Sequence, residues 1–307
     1  MNGAALLLGG SGFLGRAMID AVFTDQAVVV ADLKPPVVSR REGLTYIPAD
    51  FTRTDDFSAL LNGVSVVAHL VSTVAPAEGT AGLAKEISDN LLPTVRLLDC
   101  MAAAPSKPSL LYISSGGTVY GECGGAARAE PGDTLPICAY GAHKLAIEKY
   151  IHLYHVHHGL DYRVARLANP YGARYRAGEK KSAVAVFIER MRAGLPVTVW
   201  GDGGCARDYI YIDDAMRALR AILAYRGRER VFNVGAGESV TVNGLISIIA
   251  GELGAVCPQI TYAGARACDA RESRLDIGLI KACTGWEPRI PLREGIRRCI
   301  LETEVSA

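Results

Sequence analysis

Short apolar runs separated by amphipathic stretches set the rhythm of this chain. Ala4–Leu8, Ala27–Ala31, Thr45–Ile47, Val64–Leu70, Leu110–Ile113 and Tyr162–Leu167 each have the length of a buried strand. Between them apolar residues recur at helical spacing, from Arg16 to Phe23, from Ile87 to Ala103 and from Tyr140 to His158. Such alternation predicts an α/β fold, a doubly wound parallel sheet with crossover helices, whose ligands gather at the carboxyl ends of the strands. After Asn169-Pro170-Tyr171-Gly172 the rhythm loosens. A basic stretch, Arg174–Lys181, leads to a helix near Ala183–Ala193 and a strand at Pro196–Trp200. Asp213 and Asp214 stand where a helix running to Ala224 needs a cap, Val231–Val234 reads as a strand, and Thr241 caps a helix over Val242–Leu253.

Within this frame, Gly9-Gly10-Ser11-Gly12-Phe13-Leu14-Gly15 follows the first strand and opens the first helix. Glycines there let the backbone approach a pyrophosphate, whose charge meets free N–H groups and the positive end of the helix dipole. Gly9, Gly12, Phe13, Leu14 and Gly15 are therefore candidate cofactor residues. Asp32 lies 20 residues beyond Gly12, at the end of the second apolar run, suited to an adenosine ribose and repulsive to a 2′-phosphate. The pattern predicts NAD rather than NADP, with Arg40 and Arg41 nearby as the one contrary signal. It also predicts a Rossmann domain over residues 1–168, to which segments near 205–235 return. Residues 169–204 and 236–307 would form a smaller, discontinuous substrate lobe.

Half of the 307 residues are apolar, and 33 basic against 32 acidic residues leave a net charge of +1. That balance argues against nucleic acid or an anionic membrane as partner and for a small molecule. No apolar run approaches a membrane span and no secretory leader precedes the first strand, so a cytoplasmic protein is expected. Eight cysteines without a CxxC pair predict reduced thiols. His152, His155, His157 and His158 have spacings that a metal can use. They read equally as an exposed helix end closed by Gly159, without the carboxylates or cysteines of a metal site, and no metal is expected.

Tyr140 and Lys144 lie at i, i+4 on one helix face, where an ammonium stabilises a phenolate. A tyrosine with a pKa near ~10 is a poor base at neutral pH. Lys144 and a positive nicotinamide ring are expected to lower it and make Tyr140 an acid/base. A solvated helix face explains the same spacing; the position after the strand Leu110–Ile113 and the Ser114-Ser115 turn favours the chemical reading.

Several further strings accompany these residues: His69-Leu70-Val71-Ser72, Asn90, Ser114-Ser115-Gly116-Gly117-Thr118-Val119-Tyr120-Gly121, Asn169-Pro170-Tyr171-Gly172, Arg207-Asp208-Tyr209-Ile210 and Gly285-Trp286-Glu287-Pro288. With them the chain resembles, over nearly its whole length, the extended short-chain dehydrogenase/reductase family. Within it the likeness is to the nucleotide-sugar 4-epimerases of the UDP-glucose and UDP-N-acetylglucosamine type. The resemblance implies that NAD accepts hydride from C4 of the sugar while Tyr140 takes the hydroxyl proton. The 4-keto sugar then turns over and is reduced on its other face. It further implies Asp50, Phe51, Leu70, Val71, Ser72, Asn90 and Ser114 as NAD contacts, Lys144 as a ribose ligand, and a homodimer formed through the helices near Ile87–Ala103 and Tyr140–His158.

Many relatives carry Ser or Thr four residues before the Tyr of the Val-Tyr-Gly turn, where this chain has Gly116. Ser115 or Thr118 is then the candidate for the hydrogen bond to the reacting oxygen, worth ~2 to 4 kcal/mol in the transition state. An Asp-Glu pair at 117 and 118, which sugar 4,6-dehydratases use, is absent, so dehydration is disfavoured. A uronic-acid epimerase, a 4-ketosugar reductase and a non-catalytic dinucleotide sensor share the same motifs and stay open. For the substrate, the resemblance assigns Arg207 to the diphosphate, with a surface pair to Asp208 as the competing role. Arg266 and Asp269 match a pair at the nucleotide, Asn169 a phosphate or sugar ligand, and Trp200 either lies near the base or fills the core. Ser273 matches a position where a bulky side chain excludes N-acetyl groups. Its small size predicts room for a UDP-N-acetylhexosamine as well as, or instead of, a UDP-hexose.

Overall fold

Runs of Val, Leu and Ala that are apolar on both faces form the centre of the sheet. The computed structural model describes residues 3–36, 38, 41–74, 83–173, 175, 182–254 and 259–305. The chain runs β1 (Ala4–Leu8), α1 (Phe13–Ala21), β2 (Val28–Asp32), β3 (Leu44–Pro48), β4 (Val64–His69), α2 (Leu83–Glu86), a π-turn (Ile87–Leu91), α3 (Leu92–Ala103), β5 (Ser109–Ser115), α4 (Ala139–His158) and β6 (Tyr162–Leu167). It continues with β7 (Asn169–Tyr171), α5 (Ala183–Arg192), β8 (Val197–Trp200), β9 (Ala206–Arg207), β10 (Tyr209–Tyr211), α6 (Ile212–Ala224), β11 (Val231–Val234), β12 (Val240–Thr241), α7 (Val242–Leu253), β13 (Ile260–Ala263), β14 (Glu272–Ser273), α8 (Gly278–Thr284) and α9 (Leu292–Val305).

Strands pair in the order β11-β6-β5-β4-β1-β2-β3, all parallel, so the strand order reverses between β1 and β4. Along β1 successive residues alternate between two cores. Ala5 and Leu7 share one with Met18 of α1 and Leu219 of α6, while Leu6 and Leu8 share the other with Leu98 of α3 and Ile151 of α4. Among the described residues three small sheets, β10-β7, β12-β9-β14 and β13-β8, accompany the large one.

Two expected features differ. The helix read over Ile87–Ala103 is interrupted by the π-turn, because Pro93 lacks the N–H that would bond back one turn. Asp213 and Asp214 do not cap α6; its N-cap is Tyr211, and no side chain bonds there. Asp214, fully buried, instead accepts the backbone N–H groups of Arg289 (2.9 Å) and Ile290 (2.8 Å) and pairs with Arg217. The Trp286 indole donates to its carbonyl at 3.2 Å, so one residue fastens the segment 286–290 to α6. Asp214→Ala should cost ~3 to 5 kcal/mol, read as a lower urea midpoint at an unchanged slope. A loss within the ~0.5 kcal/mol of an ordinary surface change would refute this anchoring role.

Thr241 does cap α7, accepting the Gly244 N–H at 3.0 Å. At the end of α4, His155 Nδ1 meets the Leu160 carbonyl at 2.9 Å, His152 Nδ1 lies 3.2 Å from the Tyr162 hydroxyl, and Gly159 takes the left-handed C-cap. Among the described residues no His, Cys, Asp and Glu cluster suits a metal, no helix is long and apolar enough to cross a membrane, and the cysteines are free thiols. Arg40 and, apart from Tyr175, the basic stretch 174–181 lie outside the described residues.

Candidate active site

The loop after β1 turns back at Gly9 and meets α1 at Gly15, where a Cβ would lie 2.4 Å from the Gly10 backbone. Only glycine permits that contact. No side chain caps α1, which leaves its first amides to a ligand anion. Asp32, closing β2, accepts the Ser11 N–H at 2.9 Å and the Leu33 N–H at 2.7 Å. It lies in the wall of a cleft of about 660 Å³ together with Gly9, Gly12, Asp50, Phe51, Leu70, Val71 and Ser72. An uncapped helix start and a carboxylate in one cleft fit a dinucleotide, the anion at one end and the ribose at the other. Arg41 does not line this wall. Its guanidinium donates to the Ile19, Phe23 and Gln26 carbonyls, closing the end of α1, while the cations that line this cleft are Arg16 and Lys34.

Asn90 and Ser114 are buried and do not line this cleft. The π-turn directs Asn90 inward, where Oδ1 accepts the Thr73 N–H at 2.9 Å and Nδ2 donates to the Thr73 hydroxyl at 2.7 Å. Ser114 is 3% exposed and donates to Glu148 of α4. Phe13 and Leu14 turn away from the first cleft into a second, of about 730 Å³, where the Phe13 ring stacks on Tyr175 at 4.2 Å.

Asn169, Trp200, Arg207, Arg266 and Asp269 line this second cleft. β8 turns Val197 and Val199 into the core and Trp200 outward, 46% exposed, with the Arg266 guanidinium 3.9 Å over its ring. Core packing is therefore not the role of Trp200. Arg207 donates to the Ala270 carbonyl at 2.6 Å and pairs with Asp269 at 3.4 Å rather than with Asp208. Asp208 faces the opposite way, fully buried, accepting the N–H groups of Ala236 (2.7 Å), Gly237 (3.1 Å) and Leu275 (3.4 Å). Burial lifts its carboxyl to about 6 against those donors. Its carbonyl receives the Asn169 amide at 2.8 Å. Ser273 pairs with Arg207 in the small sheet and is buried, its Oγ 3.8 Å from where a Cβ on Gly117 would stand.

Tyr140 and Lys144 occupy the start of α4, whose Cys138 cap accepts the Gly141 N–H at 3.4 Å. Lys144, 3% exposed, donates to the Ile113 carbonyl at 3.0 Å and lies 5.7 Å from the Tyr140 ring centroid. Burial draws its ammonium down to about 8, opposed by Glu148, and pushes the Tyr140 phenol up to about 12. The expected lowering of Tyr140 is thus not built into the chain alone: the seat favours the neutral form of both groups. Gly116 has no room for a hydroxyl-bearing side chain, since a Cβ would lie 2.5 Å from Leu275 and 2.8 Å from the Arg166 carbonyl. Among the described residues Thr118 Oγ1 is buried without a hydrogen-bond partner.

The sequence reading missed the Glu148–Arg166 pair, the anchoring by Asp208 and the cleft residues Arg190 and Cys205. Only Glu148 had a visible signal, as the next residue at i+4 after Lys144.

The profile of the NAD dependent epimerase/dehydratase family matches residues 5–235. A UDP-glucose 4-epimerase of Mycolicibacterium smegmatis is 30% identical over 96% of each chain. The UDP-glucose 4-epimerase of Thermotoga maritima, solved with UDP-glucose, superposes with a TM-score of 0.90 at 29% identity, covering 99% of both chains. That of Thermus thermophilus, solved with NAD, gives 0.88 at 28% identity, covering 99% of this chain and 100% of the other. The family match reaches from β1 to β11 and takes in Tyr140 and Lys144, and on it the chain belongs to the NAD-dependent epimerase/dehydratase family.

Proposed function

We propose that the protein inverts C4 of a UDP-linked hexose or N-acetylhexosamine through a transient 4-keto sugar. One observation carries this reading: the two clefts meet at the start of α1, Gly12 lining the first and Phe13 and Leu14 the second. The first fits a dinucleotide, and the second, with Trp200, Arg207 and Arg266, fits a nucleoside diphosphate. Residues 1–168 would hold the cofactor, and 169–204 with 236–307 the sugar nucleotide. NAD supplies the hydride acceptor and donor when bound. Tyr140 takes the proton of the 4-hydroxyl and returns it, while Lys144, charged below about 8, stabilises the phenolate.

UDP-glucose, UDP-galactose and their N-acetylated counterparts, each given to purified enzyme and followed by NMR, test the proposal. C4 inversion without net change in NADH supports it; net redox turnover indicates a reductase, and loss of water a dehydratase. No turnover, with Tyr140→Phe functionally silent in cells, indicates a sensor.

Thr118 donates to the reacting oxygen in this reading, because its hydroxyl is buried and has no hydrogen-bond partner among the described residues. Thr118→Val keeps the shape and should lower kcat by about 10²- to 10³-fold. Ser115→Ala should leave kcat close to wild type, and the reverse ranking would move the role to Ser115. At Ser273 a Tyr should reduce turnover of the N-acetylated pair by about 10- to 200-fold relative to the plain pair. Wild-type turnover confined to the non-acetylated sugars would sink that assignment.

A cytoplasmic homodimer completes the proposal. Exposed Leu83, Ile87 and Leu92 before and within α3, with Tyr150, Leu153 and Val156 on α4, offer the apolar contact. Free thiols suit a reducing compartment.

A further inference from the structure

Glu148 stands one turn beyond Lys144 on α4, yet is 5% exposed. Its carboxylate accepts the Ser114 hydroxyl from β5 and grips Arg166 of β6, with Nη2 at 2.7 Å and Nε at 3.2 Å from both oxygens. Arg166 extends the link, donating to the Tyr120 hydroxyl at 2.8 Å and the Glu130 carbonyl at 3.2 Å. Tyr120 donates to Asn233 of β11 at 2.7 Å, and the Asn233 amide reaches the carbonyls of Arg128 (2.7 Å) and Asp276 (3.0 Å). Leu275, next to Asp276, is the residue that crowds Gly116. The chain of bonds thus joins the helix of Tyr140 and Lys144, the turn of Thr118 and the segment following Ser273. A buried ion pair adds little net stability over an apolar replacement, because desolvation offsets the attraction. A fully satisfied one selects a single arrangement of what it connects.

We propose that Glu148 is a positioning residue, whose carboxylate, locked between Ser114 and Arg166, holds Lys144 and the turn 115–121 in their reacting arrangement. The charges around Lys144 explain why a carboxylate is used. Tyr112 of β5 presents its ring at 4.9 Å, Tyr140 is a phenol, and Arg166 of β6 is a cation. His69 of β4 and His143 of α4 are neutral, burial holding them at about 3 and about 4. Among the described groups facing Lys144, Glu148 is the anion that opposes the effect of burial.

This inference rests on the acid/base reading of Tyr140 and Lys144, so its test also uses protein free of NAD and sugar. NMR of ε-¹³C-lysine-labelled protein follows the titration of Lys144, and kcat and KM are measured against pH. In Glu148→Gln the Lys144 ammonium should be lost about one pH unit lower, moving the alkaline limb of kcat with it, while KM stays within about twofold. The double variant Glu148→Met/Arg166→Met should fold and yet lose about tenfold or more in kcat, and Glu148→Asp should recover part of the loss. An unchanged Lys144 titration in Glu148→Gln, or a double variant with wild-type kcat and pH profile, overturns the proposal. A wild type without turnover of UDP-sugars would defeat the proposed reaction, while a shifted Lys144 titration would still support the positioning role.

Discussion

Tyr140→Phe is expected to lower kcat by about 10²- to 10⁴-fold with the fold, the bound NAD and KM essentially retained. The substitution removes one oxygen and keeps the ring, 5.7 Å from the Lys144 ammonium, so the loss would report proton transfer and not packing. Thermal unfolding and cofactor fluorescence check the fold and the bound NAD, and NMR of C4 inversion checks the rate. Wild-type-like turnover in this variant would sink the acid/base assignment. The pH profile of the wild type adds a second measure. Burial among the chain's own residues holds the phenol at about 12. A kcat that has already reached its plateau at neutral pH would show that ligand charge lowers Tyr140 by several units.

Restoring the hydroxyl that many relatives carry should harm this enzyme. In Gly116→Ser the new Cβ meets Leu275 at 2.5 Å and the Arg166 carbonyl at 2.8 Å. Leu275 is 1% exposed in the core, and the carbonyl belongs to β6, so neither can yield cheaply. Overpacking of this kind costs ~1 to 3 kcal/mol. In a chain of 307 residues that lowers Tm by about 1.5 °C per kcal/mol. The displaced turn also carries Thr118, so kcat should fall too. Gly116→Ser/Thr118→Val should be no more active than Thr118→Val alone. A stable Gly116→Ser protein that rescues Thr118→Val would show that the turn accepts the relatives' arrangement after all.

The first half of the fold was legible because its strands, the edge strand β3 excepted, are largely buried on both faces. Ala4–Leu8 and Tyr162–Leu167 have the limits that the apolar runs imply, and β5 is longer by Ser109, Ser114 and Ser115, which ladder bonds and not hydrophobicity hold in place. The π-turn was hidden because Pro93 interrupts hydrogen bonds without interrupting the apolar pattern. Strands of two or three residues, such as β9 and β14, carry no period and exist only through their tertiary partners. In the site, Gly15, Asp32, Tyr140 and Lys144 could be read because each belongs to a local spacing. Arg166 and the anchoring role of Asp214 could not, and Glu148 showed only its i+4 spacing from Lys144: charged residues in a sequence suggest a wet surface, and their partners lie far along the chain. Gly116 looked like a missing hydroxyl, whereas its neighbours make it a packing requirement.

The engagement of Arg41 bears on how such a scaffold changes through evolution. A lineage drifting towards NADP would find Arg41 committed to three carbonyls at the end of α1, and Arg16, which lines the first cleft, donating to the Ser11 carbonyl at 2.7 Å. Its route would pass through Leu33 or Lys34 instead, which already line the first cleft beside Asp32. Neutralising Asp32 would at the same time weaken the tie to Ser11 that orders the glycine loop. Cofactor choice and loop order are therefore inherited together, and a single substitution at Asp32 would disturb one in changing the other.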